Sequence, residues 1–91
     1  MTAGTDAHDV RVEVRYFAAA EAAAGRAGET VVLPSSATLA DLRAQLGADN
    51  PALARVLTRC SFLRDAVVVR DHDTPLAGAT VIEVLPPFAG G

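Results

Sequence analysis

The sequence predicts an α+β domain: a sheet with one principal helix packed across it. Three observations carry this reading. Residues Val10 to Tyr16 and Thr80 to Leu85 alternate between two faces with the period of a strand. Between them, Leu39, Leu42 and Leu46 recur at i, i+3 and i+7, the single apolar stripe of a helix that covers one face of a sheet. The order strand, strand, helix, strand, strand, within a chain of 91 residues, leaves room for one such layered domain and no second.

Each element has its own local cause. In the first strand Val10, Val12, Val14 and Tyr16 share one face, and Arg11, Glu13 and Arg15 the other. Phe17 breaks the alternation, and Ala18 to Ala24 predict a short helix with Glu21 outward and Gly25 as its stop. Glu29 to Leu33 form the second strand, ended by Pro34, and pair with the first as a loose antiparallel hairpin. Thr38-Leu39-Ala40-Asp41 carries the Ser/Thr-x-x-acid spacing of a capping box, so the principal helix starts there, with Gly47 expected at its C-terminal cap. Asp49 or Asn50 before Pro51 starts a second short helix, with Leu53, Val56 and Leu57 inward and Arg55 and Arg59 toward solvent.

Phe62 to Arg70 is a third strand region, whose continuous Val67-Val68-Val69 run suggests burial on both faces or a bulge. Asp71-His72-Asp73-Thr74-Pro75 reads as a polar turn. Three adjacent side chains rarely converge on one ion, so no metal site is assigned. Leu76 belongs to the core beneath this loop, and Gly78 introduces the last strand, with Val81 and Glu83 on one face and Ile82 and Val84 on the other. A last strand running beside the first would sit in mid-sheet.

Composition excludes several functions. The chain is 51% hydrophobic and 21% charged, as a globular domain is, and has no apolar run of membrane-spanning length. The first eight residues have neither the basic start nor the hydrophobic stretch of a signal peptide, so a cytoplasmic protein is expected, with residues 1–8 as a flexible leader. A net charge of -3 without a basic cluster argues against nucleic acid as the main partner. Cys60, the single cysteine, excludes an internal disulfide and reads as a small core residue rather than a reactive thiol. All eight basic residues are arginine, so no lysine is present for a Schiff base. No Ser-His-Asp or Cys-His set, phosphate loop or pair of buried carboxylates stands out, which leaves the chain without catalytic side chains of its own.

The ending, Leu85-Pro86-Pro87-Phe88-Ala89-Gly90-Gly91, is the stretch that the folded residues 9–87 present. Pro86 and Pro87 lack amide hydrogens and have fixed φ, which stops the strand and stiffens its exit. Phe88 offers an apolar anchor. Gly90 and Gly91 have no Cβ, so a partner's backbone can close around them and reach the terminal carboxylate. Residues 88–91 extend roughly 13 Å, enough to enter a deep pocket without unfolding anything.

Tyr16-Phe17-Ala18-Ala19, Glu21, Glu29-Thr30-Val31, Thr38-Leu39-Ala40-Asp41-Leu42 and the Pro-Pro-x-x-Gly-Gly ending resemble the small subunit of molybdopterin synthase, within the wider family of ubiquitin-like sulfur carriers that includes the thiamine carrier. The resemblance covers roughly residues 10 to 91. It implies a β-grasp fold and a C-terminal glycine, here Gly91, that an activating enzyme adenylates with ATP and converts to a thiocarboxylate, with no cofactor bound stably by the chain itself. The large synthase subunit would then take that sulfur to build molybdopterin. Gly91 is thus the expected reactive residue, and Pro86, Pro87, Phe88, Ala89 and Gly90 the expected partner contacts, with Tyr16 and Phe62 joining them if exposed. The alternatives, in order, are a carrier for thiamine, cysteine or another small product; a protein modifier conjugated through Gly91; and a plain interaction domain.

Overall fold

The computed structural model describes residues 9–87; the leader 1–8 and Phe88, Ala89, Gly90 and Gly91 lie outside the described residues. β1 (Asp9–Tyr16) follows its alternation without a break: Val10, Val12, Val14 and Tyr16 are buried and every residue between them is exposed. α1 (Ala18–Ala24) is one short helix that Gly25 ends at φ 75, the left-handed cap conformation that glycine adopts without a Cβ clash. β2 (Gly28–Pro34) then returns antiparallel to β1, with Val12 opposite Val31 and Val10 opposite Leu33.

α2 (Leu39–Gly47) starts where its capping box predicts. The Thr38 hydroxyl accepts from the Asp41 amide at 3.3 Å, and the Asp41 carboxylate accepts from the Thr38 amide at 2.9 Å. Leu39, Leu42 and Leu46 are buried against the sheet. Gly47 does not supply the C-terminal cap expected of it. The cap is Ala48 in right-handed helical conformation, and a Cβ on Gly47 would stand 2.9 Å from Ala54 Cβ. Its role is the close approach of α2 to α3 (Pro51–Leu57), which begins at Asn50, whose side chain accepts from the Leu53 amide at 3.0 Å.

The third strand region is two strands. β3 (Ser61–Arg64) turns through Asp65 and Ala66, at φ 49 and 74, into β4 (Val67–Val69), a two-residue hairpin with both central residues left-handed. Neither expected reading of the valine run holds: β4 is an edge strand, and Val67 and Val68 are 68% and 50% exposed. The Asp65 carboxylate ties the turn to the next strand by accepting from the Val81 amide at 2.9 Å. The loop between them also packs inward, since Leu76 is fully buried and its amide donates to the Ala37 carbonyl at 3.0 Å.

β5 (Val81–Leu85) completes a five-stranded mixed sheet in the order β2-β1-β5-β3-β4. It runs parallel to β1 and antiparallel to β3, so the last strand lies at the centre of the sheet. One face, built from Val12, Val14, Tyr16, Val31, Leu33, Phe62, Ile82 and Val84, meets the leucines of α2 and α3 in a single core. This is the α+β architecture that the element order predicts and the β-grasp fold that the resemblance implies, with one strand more than the element count suggested.

Candidate functional site

Hydrogen bonds hold β5 on both edges up to the point where the chain leaves the sheet. Val84 lies opposite Tyr16 on one side and Phe62 on the other, Leu85 lies opposite Ser61, and the Phe17 amide donates to the Val84 carbonyl at 3.2 Å. Pro86 is buried and Pro87 exposed, so the chain passes from the core to the surface across these two residues. Of the expected site residues, Pro86 and Pro87 stand at this exit; Phe88, Ala89, Gly90 and Gly91 lie outside the described residues.

Tyr16 and Phe62 are not part of an outer surface. They are 2% and 1% exposed, because both fall on the core side of their strands. Tyr16 reaches past the hydrophobic layer to donate to Glu29 at 2.6 Å, and Glu29 lies 3.7 Å from Arg26. Burial, then the hydrogen bond and the charge of Glu29, hold the Tyr16 phenol well above its ordinary value of 10.0, against a smaller opposing effect of Arg26. Among the described residues, an aromatic ring that the surface does carry near the exit is Phe17, 39% exposed just after β1.

A raised phenol pKa favours the fold while the phenol is protonated. Its contribution is present in full below the unfolded value near 10.0 and is lost as pH rises above it. Tyr16→Phe is expected to cost about 1.5–2 kcal/mol at neutral pH, the lower part of the range for a bond to a charged partner because Glu29 is partly exposed. The variant should also lack the part of the wild-type stability loss above pH 10 that Tyr16 ionisation causes. Denaturant titrations at neutral and strongly alkaline pH measure both effects.

Beside the exit lies a cleft of about 530 Å³ lined by Ala19, Arg55, Val56, Thr58, Arg59, Pro86 and Pro87. The antiparallel Ser61–Leu85 pair brings the end of α3 alongside the two prolines. Sequence reasoning placed Arg55 and Arg59 toward solvent, where they are, but not beside the tail, because only the strand register makes them neighbours. Cys60, next in the chain, is half-buried; its thiol donates to the Val56 carbonyl at 3.2 Å, and burial pushes its pKa up, away from the reactive thiolate. Asp71-His72-Asp73 is a turn: the Asp71 carboxylate accepts from the Asp73 amide at 2.9 Å, and the His72 ring stands edge-on to Phe62 with centroids 5.7 Å apart. Among the described residues no three His, Cys, Asp or Glu side chains come together to hold a metal, and no helix is long and apolar enough to cross a membrane.

A small sheet grasping one main helix, with its central last strand leading to Pro86 and Pro87 at the exit, defines the class of ubiquitin-like carrier domains. Residues 14–91 match the ThiS family. A relative in Chlamydomonas reinhardtii, the molybdopterin synthase sulfur carrier subunit, is 34% identical over 83 residues, which cover 90% of this chain and all of that one. Among solved structures, a complex of subunits 1 and 2 of the molybdopterin-converting factor of Helicobacter pylori includes a chain that superposes with a TM-score of 0.63 at 29% identity, over 90% of this chain and 100% of that one. The small archaeal modifier protein 1 of Haloferax volcanii shares the fold with a TM-score of 0.75 at 23% identity, over 87% of this chain and 99% of that one. The chain belongs to the ThiS family, the ubiquitin-like sulfur carriers that its ending resembles.

Proposed function

We propose that this chain is the sulfur-donating small subunit of a molybdopterin synthase, with the sulfur carried as a thiocarboxylate on Gly91. The observation that carries the reading is the placement of β5: paired on both edges, it ends in Pro86-Pro87 and delivers Phe88-Ala89-Gly90-Gly91 from a fixed point. The similarity to the Chlamydomonas reinhardtii sulfur carrier subunit supports the pathway, and the Helicobacter pylori complex supports a large-subunit partner.

The chemistry follows from the reactivity of a carboxylate. Its anion is a poor electrophile, so an activating enzyme first joins a Gly91 carboxylate oxygen to the α-phosphorus of ATP, and pyrophosphate leaves. A sulfur nucleophile then attacks the acyl carbon and AMP departs with that oxygen, leaving sulfur in its place. This chain supplies reach and fit. Gly90 lets the partner's backbone approach closely, and Phe88 with Pro86 and Pro87 packs at the channel mouth. The open face of the sheet supplies further contact. There the half-buried Leu63, Val81 and Leu85 and the exposed Val68 surround Glu83, beside the exposed Glu13–Arg15 ion pair at 3.3 Å.

Incubation with the activating enzyme, ATP and a sulfur source should exchange one oxygen for sulfur, and the loaded chain with the large subunit should convert the pyranopterin precursor to molybdopterin. Loading without conversion would redirect the sulfur to thiazole, cysteine or another small product. A second reading, a modifier joined through Gly91 to lysines of other proteins, draws on the fold shared with the archaeal modifier. A Gly-Gly remnant on those lysines distinguishes it.

A further inference from the structure

The cleft at the base of the arm has a chemistry of its own. Ala19, Val56 and Pro86 give it an apolar lining, and Arg55, near the end of α3, and Arg59, in the turn just beyond it, both line the same cleft. Both arginines are exposed, and among the described residues neither forms an ion pair; the two pairs present there are Arg15–Glu13 and Arg26–Glu29. The position matters as much as the composition. Pro86 and Pro87 line the cleft themselves, and the four residues after them reach only about 13 Å. A protein that encloses those residues therefore comes within reach of the cleft as well.

We propose that this cleft is a docking surface for the large synthase subunit, which meets it with an apolar side chain flanked by carboxylates. The proposal rests on the sulfur-carrier reading and adds the chemistry of the partner's channel rim. Charge sets the sign. The whole chain carries -3, so its net charge weakly repels an acidic partner, while the two arginines make the base of the arm locally positive. An acidic rim is thus drawn to the arm's base rather than to the rest of the surface, and encounter is biased toward the orientation in which the arm can enter. A second copy of this chain, with the same net charge and the same arginine pair, meets the cleft less well. The Gly91 carboxylate is the other occupant the arginines could hold, and it predicts the opposite kinetic effect.

Stopped-flow association with the large synthase subunit tests this, using wild type, Arg55→Glu/Arg59→Glu and the milder Arg55→Gln/Arg59→Gln. At low salt the charge reversal should slow association about tenfold or more, with the glutamine pair between it and wild type. The differences should shrink toward unity as salt screens the charges. Melting curves establish that the variants are folded, and the glutamine pair carries the test should the reversal fail to fold. Equal rates for all three proteins at every salt concentration overturn the surface. Faster association of the variants also overturns it, because the arginines would then be restraining the arm of the chain itself. Failure of wild type to associate at all removes the synthase-subunit reading before any variant is compared.

Discussion

Adding a single residue after Gly91 is expected to reduce sulfur loading to background while leaving the melting temperature unchanged. The buried core is drawn from Val10 to Val84, with Pro86 also buried, so an extension beyond Gly91 touches none of the packing that stabilises the domain. Its chemical effect is total. The Gly91 carboxylate becomes an ordinary peptide carbonyl with no anionic oxygen to attack ATP, and the new carboxylate lies one residue, about 3.5 Å, too far along the channel. Deleting Gly90 and Gly91 should do the same by leaving the arm short. Association with the large subunit should weaken far less after the extension than loading does, because the sheet face and the cleft are intact. Intact mass after incubation with the activating enzyme, ATP and sulfur source reads the first effect and calorimetry the second. Loading retained by the extended chain would show that the acceptor is not the C-terminal carboxylate.

The second large effect concerns the base of the arm. Phe62→Ala should cost about 3–5 kcal/mol, the range for removing a buried aromatic ring. Phe62 is 1% exposed, pairs in register with Val84 of β5 and Val69 of β4, and meets the edge of His72, so its loss opens a cavity beside the strand that leads to the tail. At about 4–8 °C per kcal/mol for a domain of this size, the melting temperature should fall by at least 12 °C. The same variant separates packing from docking. If Phe62 were a partner contact, its truncation would weaken association without moving the melting temperature; its burial predicts the reverse under conditions where the variant is folded. Thermal unfolding followed alongside partner binding decides between them.

How legible the chain was depended on whether a feature had a local cause. The alternation in β1 and β5, the Thr38–Asp41 capping box and the cap at Gly25 are each written in neighbouring residues, and each appears in the structure as read. The β3–β4 hairpin was hidden because its turn lacks the usual glycine. Asp65 and Ala66 both adopt left-handed conformations, and Ala66 gives no signal that it will do so. With the turn unseen, Val67, Val68 and Val69 looked like a buried run, whereas they form an edge strand whose exposure is set by its place at the end of the sheet. Gly47 misled in another way: a glycine at a helix end suggests a cap, but Ala54 packs where its Cβ would be.

The candidate site divides along the same line. Pro86, Pro87 and the residues after them announce themselves in sequence because backbone chemistry alone makes them unusual. The cleft does not, since Ala19, Arg55, Arg59 and Pro86 belong to three separate stretches that only the parallel β1–β5 and antiparallel β3–β5 pairings bring together. Tyr16 and Phe62 are of the residue type that often anchors interfaces. Their strand parity puts them inside, and parity was readable for Tyr16 from its place in the Val10, Val12, Val14 series.

The most direct measurement is mass spectrometry that locates the sulfur after loading by the activating enzyme with ATP. Two positions compete on this chain: the C-terminal carboxylate, and the thiol of Cys60, which could take the outer sulfur of a persulfide donor, releasing the donor thiol, and so gain sulfur without losing oxygen. The expected result is one oxygen exchanged for sulfur, confined to the C-terminal fragment that ends in Gly91, with the Cys60 fragment unchanged. An unchanged C-terminal fragment, or sulfur found on Cys60 alone, would contradict the assignment of this chain as a carrier through its terminal glycine.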